Sequence, residues 1–147
     1  MSALTLEQMA QQAQNLVQAE TAVVALAEAD TETIYYAAAA GKHAGAIAGK
    51  RGQIATSGLC GVVLQESCPV LVAQTQGDLR VRQDQVAALG IDSALAVPIR
   101  QNEQILGALM VLNRQDGRPF DGQDEAQLAA YAAEIGGQVA EIMANAE

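Results

Sequence analysis

The stretch Ser93–Asn113, SALAVPIRQNEQILGALMVLN, decides the fold. In its first half Leu95, Val97 and Ile99 occupy alternate positions, and alternation at period two predicts a half-buried strand. In its second half, residues 105–112 are almost all apolar, which is typical of a strand buried on both faces. A polar turn joins the two halves. We therefore predict a hairpin whose second strand lies in the middle of a sheet.

Working outward, Pro98 has no N–H for a strand ladder, so the first strand is either less central or broken at that point. Downstream, a turn-rich link leads to Phe120, which we expect to anchor it, and Asp121 is placed to cap a long final helix that ends near residue 144. Apolar residues on that helix step alternately by four and three, the spacing of a coiled-coil seam. The seam consists of Leu128, Ala132, Ile135, Val139 and Ile142.

Upstream of the hairpin, local patterns predict several further elements in chain order. These are a helix over 4–19, strands over 21–28 and 33–39, a long loop over 40–56 with room for one helical turn, a helix over 58–66 capped by Ser57, a strand over 69–73, and a helix over 82–89 ended by Gly90. The order predicts one α+β domain over residues 1–147. Its sheet is mainly antiparallel, with five to six strands.

Composition narrows the possible partners. The chain has 147 residues, half of them apolar but only 3% aromatic, so small aliphatic side chains must fill the core. Its net charge of −9 argues against nucleic acid as a partner. No signal-peptide pattern or run of membrane-spanning length is present, so we expect a cytoplasmic protein without a membrane partner. Cys60 and Cys68 are too few for a disulfide framework and too far apart for a CxxC motif.

Six short segments span almost the whole chain: Ala40-Gly41, residues 58–62 (GLCGV), 69–72 (PVLV), 94–99 (ALAVPI), 104–109 (QILGAL) and Phe120-Asp121. In their order and in the gaps between them they resemble the GAF domain, a small sensory fold of signalling proteins. The resemblance implies that the first and last helices cover one face of the sheet. It also implies that the loop and short helices on the other face enclose any ligand pocket. The fold hosts cyclic nucleotides, bilins, haem, small anions, free methionine sulfoxide or no ligand, so the ligand stays open.

Positive charge is concentrated where this fold would place the ligand. Five of the eight basic residues fall in the two loop regions over that face, and in an acidic protein they would form a positive rim that attracts a small anion. The amino end of the helix over 58–66 and nearby hydroxyls would add hydrogen-bond donors. The alternative is that these are ordinary solvated loop residues. The candidate ligand-binding residues are Lys42, His43, Lys50, Arg51, Thr56, Ser57, Cys60, Arg80 and Arg82.

Cys60 indicates a second possible function. It lies near the start of a helix, where free N–H groups and the helix dipole lower the pKa of a thiol. Cys60-Gly61 is similar to a Val-Cys-Gly setting in the free methionine-(R)-sulfoxide reductases, which are GAF-like enzymes. The essential cysteine of that group lies later, however, and residues 77–92 contain none, while Cys68 does not obviously replace the other one. The alternative is a small thiol buried in the core, and without an enzymatic role for Cys60 we predict no catalytic residue.

The sequence lacks the residues that a covalent bilin or a metal ion would need. Bilin-binding GAF domains attach the chromophore through a cysteine, commonly followed by histidine, before the Val-Pro strand, and residues 81–83 have neither, so we expect no covalent bilin. His43 is the only histidine, and because a metal site needs several N or S ligands we predict none. For His43, haem ligation and simple solvation in the loop both stay open. The cofactor is otherwise unknown.

These observations together predict a small-molecule-sensing regulatory domain that binds a small anionic ligand and signals through its terminal helices. Such helices often form dimers, so we expect a homodimer, with a signalling protein as a further partner. No kinase, cyclase or DNA-binding segment is visible, so the domain either acts on a partner or belongs to a longer sensor. Two alternatives remain: a thiol-dependent enzyme that uses Cys60, and a ligand-free dimerisation module whose pocket is filled by alanine and valine.

Overall fold

The computed structural model describes residues 4–145. Within that range the helices are α1 (Leu6–Leu16), α2 (Ala44–Ile47), α3 (Gly58–Glu66), α4 (Gln83–Leu89) and α5 (Gly122–Asn145). The strands are β1 (Ala19–Glu28), β2 (Thr33–Gly41), β3 (Arg51–Gln53), β4 (Val70–Val72), β5 (Ala94–Gln101) and β6 (Gln104–Arg114). No helix among these is both long and apolar enough to cross a membrane. The predicted single domain of 1–147 includes residues 1–3 and 146–147, which lie outside the described residues.

All six strands belong to one sheet in the order β3-β2-β1-β6-β5-β4, and every neighbouring pair is antiparallel. The predicted hairpin is β5–β6, and β6 lies between β1 and β5. At its centre Val111 pairs with Ala22 on one side and Leu95 on the other. The predicted α+β class, the antiparallel sheet and the central position of β6 are confirmed.

Pro98 lies in the less central strand of this hairpin. It pairs with Ala108 of β6, whereas β4 pairs with β5 only through Ala94, Leu95 and Ala96. Pro98 is therefore beyond the end of β4, where β5 has no second neighbour within residues 4–145. A residue without an N–H is tolerated there because no outer ladder needs one.

Two details of the segment 40–57 differ from the sequence prediction. The segment 40–56 is not only a loop with a helical turn, because it also contains β3, whose Arg51 pairs with Tyr35 of β2. Ser57 does occupy the N-cap position of α3, but its hydroxyl donates to the carbonyl of Gln53 and makes no capping bond to the helix. The prediction that the Ser57 hydroxyl caps this helix is therefore wrong.

The two faces of the sheet carry separate apolar clusters. Helices α1 and α5 cover one face, where the seam residues Leu128, Ala132, Ile135 and Val139 are buried against the sheet. Helix α3 covers the other face together with α2 and the segment around α4. The helices therefore take the faces that the GAF resemblance implied, and the α5 seam is used inside the domain.

Candidate functional site

A cavity of about 130 Å³ opens on the sheet face opposite α1 and α5. It lies between the α2–β3 segment, the amino end of α3 and the start of α4, and we call it the α3–α4 cavity. Its floor and inner walls are mainly apolar and its mouth is polar. The apolar lining includes Ile47, Leu59, Val81, Ile91, Met110 and Leu112, and the polar lining includes Tyr36, Lys50, Arg51, Ser57, Arg82 and Gln85.

The cavity floor comes from alternate residues of β6. Met110 and Leu112 face the cavity, whereas Leu109 and Val111 belong to the apolar cluster under α1 and α5. This follows from strand geometry, since successive side chains point to opposite faces. A single central strand thus separates the cavity from the terminal helices.

The structure brings four of the nine candidate ligand-binding residues together at this cavity. Lys50, Arg51, Ser57 and Arg82 all line it, and Ser57 is largely buried in the wall. The two arginines come from loop regions about thirty residues apart in the chain, as the predicted positive rim requires. Their assignment as ligand-binding residues stays a prediction.

Both arginines of the cavity mouth already have carboxylate partners. Arg51 Nε lies 2.9 Å from Glu28 Oε1, and its guanidinium lies 4.2 Å from the ring centre of Tyr35. Arg82 Nη2 lies 2.7 Å from Asp84 Oδ2. Hydrogen bonds from these guanidinium groups lower the pKa of both Glu28 and Asp84. The positive rim is therefore partly compensated on its outer side by exposed ion pairs, which are individually weak.

Two of the predicted basic residues do not line the cavity. Arg80 is exposed and holds Asp78 with two hydrogen bonds, of 3.0 and 2.6 Å. Lys42 lies beside a separate polar depression that Glu20 and Asp92 also line, and its N–H donates to the Glu20 carbonyl. The positive rim of the cavity therefore contains three of the five predicted basic residues.

His43 and Thr56 also lie away from the cavity lining. Thr56 is exposed in a short 3-10 helix. The backbone N–H of His43 donates to Thr21 Oγ1 at 3.2 Å. The ring nitrogen Nε2 of His43 is buried and has no hydrogen-bond partner in the described structure. The expectation of a solvated loop histidine is therefore wrong for this ring nitrogen. Within residues 4–145, no group of three His, Cys, Asp or Glu side chains could hold a metal ion.

Cys60 is buried beneath the cavity and does not line it. Its side chain is completely inaccessible, and its sulfur lies 3.6 Å from the sulfur of Met110. Burial raises the pKa of the thiol to about 12, the opposite of the predicted lowering, because removal from water disfavours the thiolate. Cys60 is therefore a neutral core residue at physiological pH. Cys68 is a free, exposed cysteine.

Sequence reasoning missed two residues that position the start of α3, Tyr36, which also lines the cavity, and Gly61. The hydroxyl of Tyr36 donates to the carbonyl of Ser57 at 3.3 Å and so joins β2 to the start of α3. Burial raises the pKa of this hydroxyl. Gly61 lets α3 pack closely against the backbone of Ile54, because a Cβ at this position would lie 2.1 Å from the Ile54 carbonyl oxygen. Alternate side chains of a strand share one face, so the strand pattern could have indicated that Tyr36 faces the cavity, whereas the close approach at Gly61 depends on tertiary packing.

Comparison with known proteins agrees with this geometry. A family model of the GAF domain matches residues 4–139. The chain therefore belongs to the GAF domain family.

A curated relative matches part of the chain. Over 73 residues, 48% of this chain, the sequence is 38% identical to dual 3',5'-cyclic-AMP and -GMP phosphodiesterase 11A of Takifugu rubripes. The aligned region corresponds to only 8% of that protein's length.

Solved structures share the fold at low sequence identity. The GAF domain from Acinetobacter phosphoenolpyruvate-protein phosphotransferase gives a TM-score of 0.80 at 21% identity, over 96% of this chain and 83% of that one. The free methionine-R-sulfoxide reductase from Neisseria meningitidis, solved in complex with its substrate, gives 0.75 at 16% identity, over 91% and 75% of the two chains. At these identities the likeness concerns the fold alone.

Proposed function

We propose that this chain is a small-molecule-sensing regulatory domain that binds a small anionic ligand in the α3–α4 cavity. The observation that carries the proposal is the convergence of Lys50, Arg51 and Arg82 at the mouth of an apolar cavity. Membership of the GAF family, which is typical of small-molecule-sensing signalling domains, supports it. Concave sites with an apolar lining and a few convergent polar groups are the usual form of small-ligand sites.

The amino end of α3 favours the same kind of ligand. Ser57 and Gly58 line the cavity at the point where this helix begins. The first N–H groups of a helix have no partner within the helix, and the helix dipole places partial positive charge there. An anion in the cavity would thus meet helix N–H groups as well as the basic side chains.

Strand β6 offers a physical route from the ligand to the terminal helices. A ligand that contacts Met110 or Leu112 presses on the strand whose alternate residues, Leu109 and Val111, pack under α1 and α5. Closely packed interiors transmit such displacements instead of absorbing them. We propose that ligand binding is communicated through this strand to the terminal helices and from there to a signalling partner.

A homodimer through the terminal helices is part of the proposal. Because the α5 seam is buried in the domain, the contact would use the outer surfaces of α1 and α5. Leu16 of α1, which is 40% exposed, provides an apolar side chain there. We also propose that the protein works in the cytoplasm, which suits the exposed free thiol of Cys68.

The two alternative functions find less support. A thiol enzyme needs an accessible thiolate, whereas Cys60 is buried and has a raised pKa. A ligand-free module needs a pocket filled by its own side chains, whereas the α3–α4 cavity keeps about 130 Å³ of space.

Native mass spectrometry of the full chain purified from its own host tests the proposal. Ala46 is exposed and lines the cavity, so Ala46→Trp should fill the mouth without disturbing the core. Ala48 is also exposed but does not line the cavity, which makes Ala48→Trp the matched control. Gentle conditions preserve non-covalent complexes and denaturing conditions remove them.

We expect an extra mass that is retained under gentle conditions, lost on denaturation, absent from Ala46→Trp and present in Ala48→Trp. Bare wild-type protein under both conditions would contradict the proposal. An extra mass that Ala46→Trp retains to the same extent would also contradict it, because the ligand would then lie elsewhere. The same spectra count the protomers and so test the dimer.

A further inference from the structure

We infer that the ligand of the α3–α4 cavity is a small monocarboxylic acid with an uncharged apolar body, and neither an amino acid nor a cyclic nucleotide. This inference rests on the proposed function, because it specifies the chemistry of the same site. It follows from the volume of the cavity, from the charges at its mouth and from the aliphatic character of its floor.

The volume limits the part of the ligand that the cavity can enclose to about the size of a benzene molecule. An apolar cavity of about 150 Å³ holds one benzene molecule, and pockets for drug-sized ligands are larger than about 300 Å³. The α3–α4 cavity, at about 130 Å³, belongs with the former. A nucleotide, with a base, a sugar and a phosphate, needs at least the larger size. A branched or cyclic body of about six carbon atoms suits the observed space.

The charges of the lining select an anion. Within residues 4–145, three of the side chains that line the cavity are basic and none is acidic, although the chain has 17 acidic and only eight basic residues. The carboxylates of Glu28 and Asp84, which pair with Arg51 and Arg82, are not part of the lining. The ammonium group of an amino acid in the mouth would face three basic side chains and find no acidic side chain in the lining to pair with, which disfavours amino acids.

The ion pair between Arg82 and Asp84 can be exchanged for one with the ligand. The two side chains are 47% and 64% exposed, so solvent screens their attraction and little is lost when the guanidinium turns toward the cavity. A planar guanidinium binds a carboxylate through two parallel hydrogen bonds. The exposed Lys50 lies on the cavity mouth as well and adds a second charge.

The apolar side chains of the inner cavity favour a ligand with an aliphatic body. Ile47, Leu59, Ile91, Met110 and Leu112 surround the inner part of the cavity. Burial of apolar surface against such side chains is favourable, whereas a polar group without a hydrogen-bond partner would be penalised. The ligand therefore carries its charge at one end and none in the body.

A set of three related compounds separates these possibilities. Isocaproate has the proposed chemistry, isocaproamide has the same body without the charge, and leucine is isocaproate with an added ammonium group. Binding to the full chain is measured by NMR of the methionine methyl groups. Met110 lines the cavity, whereas Met9 is buried under the opposite face of the sheet and serves as the internal control. A Met110→Leu variant assigns the signal.

We expect isocaproate to shift the Met110 signal and leave that of Met9 unchanged. The amide should bind at least about tenfold more weakly, the ratio expected for the loss of one charge-assisted hydrogen bond. Leucine should also bind more weakly than isocaproate, because its ammonium group would face the basic side chains of the mouth. Arg82→Gln should weaken isocaproate binding by a similar factor. Arg80→Gln is the matched control on the same loop, because Arg80 pairs with Asp78 and does not line the cavity. Added salt should weaken binding to the wild type.

The outcomes distinguish this inference from the proposed function. If isocaproamide or leucine shifts Met110 at least as strongly as isocaproate, the ligand class is wrong but the cavity remains a ligand site. If none of the three shifts Met110 while native spectra show a bound mass, the class is again wrong. If none shifts it and native spectra show bare protein, both the class and the proposed function are wrong.

Discussion

Gly136 and Gly137 are neighbours on α5, and we expect the same added methyl group to have opposite effects at the two positions. A Cβ at Gly136 would lie 1.9 Å from the carbonyl oxygen of Arg100 and 3.0 Å from its carbonyl carbon, so the helix touches the β5–β6 hairpin backbone here. A Cβ at Gly137 would meet nothing within 4 Å. Gly136 is buried and Gly137 is exposed, as their positions on the helix require.

The magnitudes follow from these distances. To restore an ordinary contact distance in Gly136→Ala, the helix must move about 1.5 Å away from the hairpin, which opens the packing along the α5 seam. Overpacking of this kind costs up to about 3 kcal/mol, and the better helix propensity of alanine returns about 1 kcal/mol. We therefore expect Gly136→Ala to lose about 2 kcal/mol of unfolding free energy and Gly137→Ala to gain about 0.5–1 kcal/mol.

Urea unfolding followed by circular dichroism measures both effects. The urea midpoint should fall for Gly136→Ala and rise slightly for Gly137→Ala, with similar denaturant slopes in all three proteins. Equal midpoints for the two variants, or a more stable Gly136→Ala protein, would refute the packing of α5 on the hairpin as described here.

Substitutions at three further positions test other parts of the structure by the same urea assay. Burial raises the pKa of Cys60 to about 12, whereas the thiol of the unfolded chain titrates near pH 9. The contribution of this thiol to the unfolding free energy is therefore complete below pH 9. It is lost at higher pH, by up to about 1.4 kcal/mol per pH unit. Cys60→Ala should therefore lose less stability than the wild type between pH 8 and 10, and an identical loss would speak against a buried thiol. Asp121 Oδ1 accepts two N–H groups of the first turn of α5, so Asp121→Ala should lower the urea midpoint at pH 7 and Asp121→Asn should lower it much less. Equal decreases would argue against the cap. The lowered pKa of Asp121 means that the contribution of this cap persists until the pH falls below the usual aspartate range. Asn113 Nδ2 donates to the Glu20 carboxylate and to the Gly90 carbonyl, so an aspartate at this position would place a repelling oxygen against two acceptors. Asn113→Asp should therefore lower the unfolding free energy by at least about 2 kcal/mol at pH 7 and by less below pH 4. A loss that does not depend on pH would contradict this repulsion.

Features set by local chemistry could be predicted from the sequence. The αL conformation of Gly90 at the end of α4, with φ of +65°, and the side-chain cap of Asp121 on α5 depend on a few adjacent residues. The hairpin β5–β6 was readable because its alternating and continuous apolar runs differ. The predicted first helix over 4–19 was too long, since α1 ends at Leu16 and β1 begins at Ala19.

Features set by tertiary packing could not be predicted in the same way. Strand β3 has three residues and no apolar alternation, so only its pairing with β2 reveals it. The spacing of the α5 seam suits a partner helix as well as a sheet, and the structure shows that the sheet takes it. At a helix start the dipole lowers a thiol pKa and burial raises it, and the sequence does not give the face on which Cys60 lies.

The candidate site was predictable only in part for the same reason. Clusters of basic residues in two loops indicated that Arg51 and Arg82 would meet, because the family fold brings these loops to one face. Their partners were less evident. Asp84 is two residues from Arg82, whereas Glu28 is 23 residues from Arg51 and meets it only because β2 pairs with both β1 and β3. The net charge at the mouth therefore depends on the folded chain.

A crystal structure of the full chain soaked with isocaproate tests the central claim most directly. Our account predicts the acid inside the α3–α4 cavity, with its carboxylate within hydrogen-bond distance of Arg82 or Lys50 and its branched end against Met110. An open cavity that holds only water while isocaproate is bound elsewhere on the protein would contradict it.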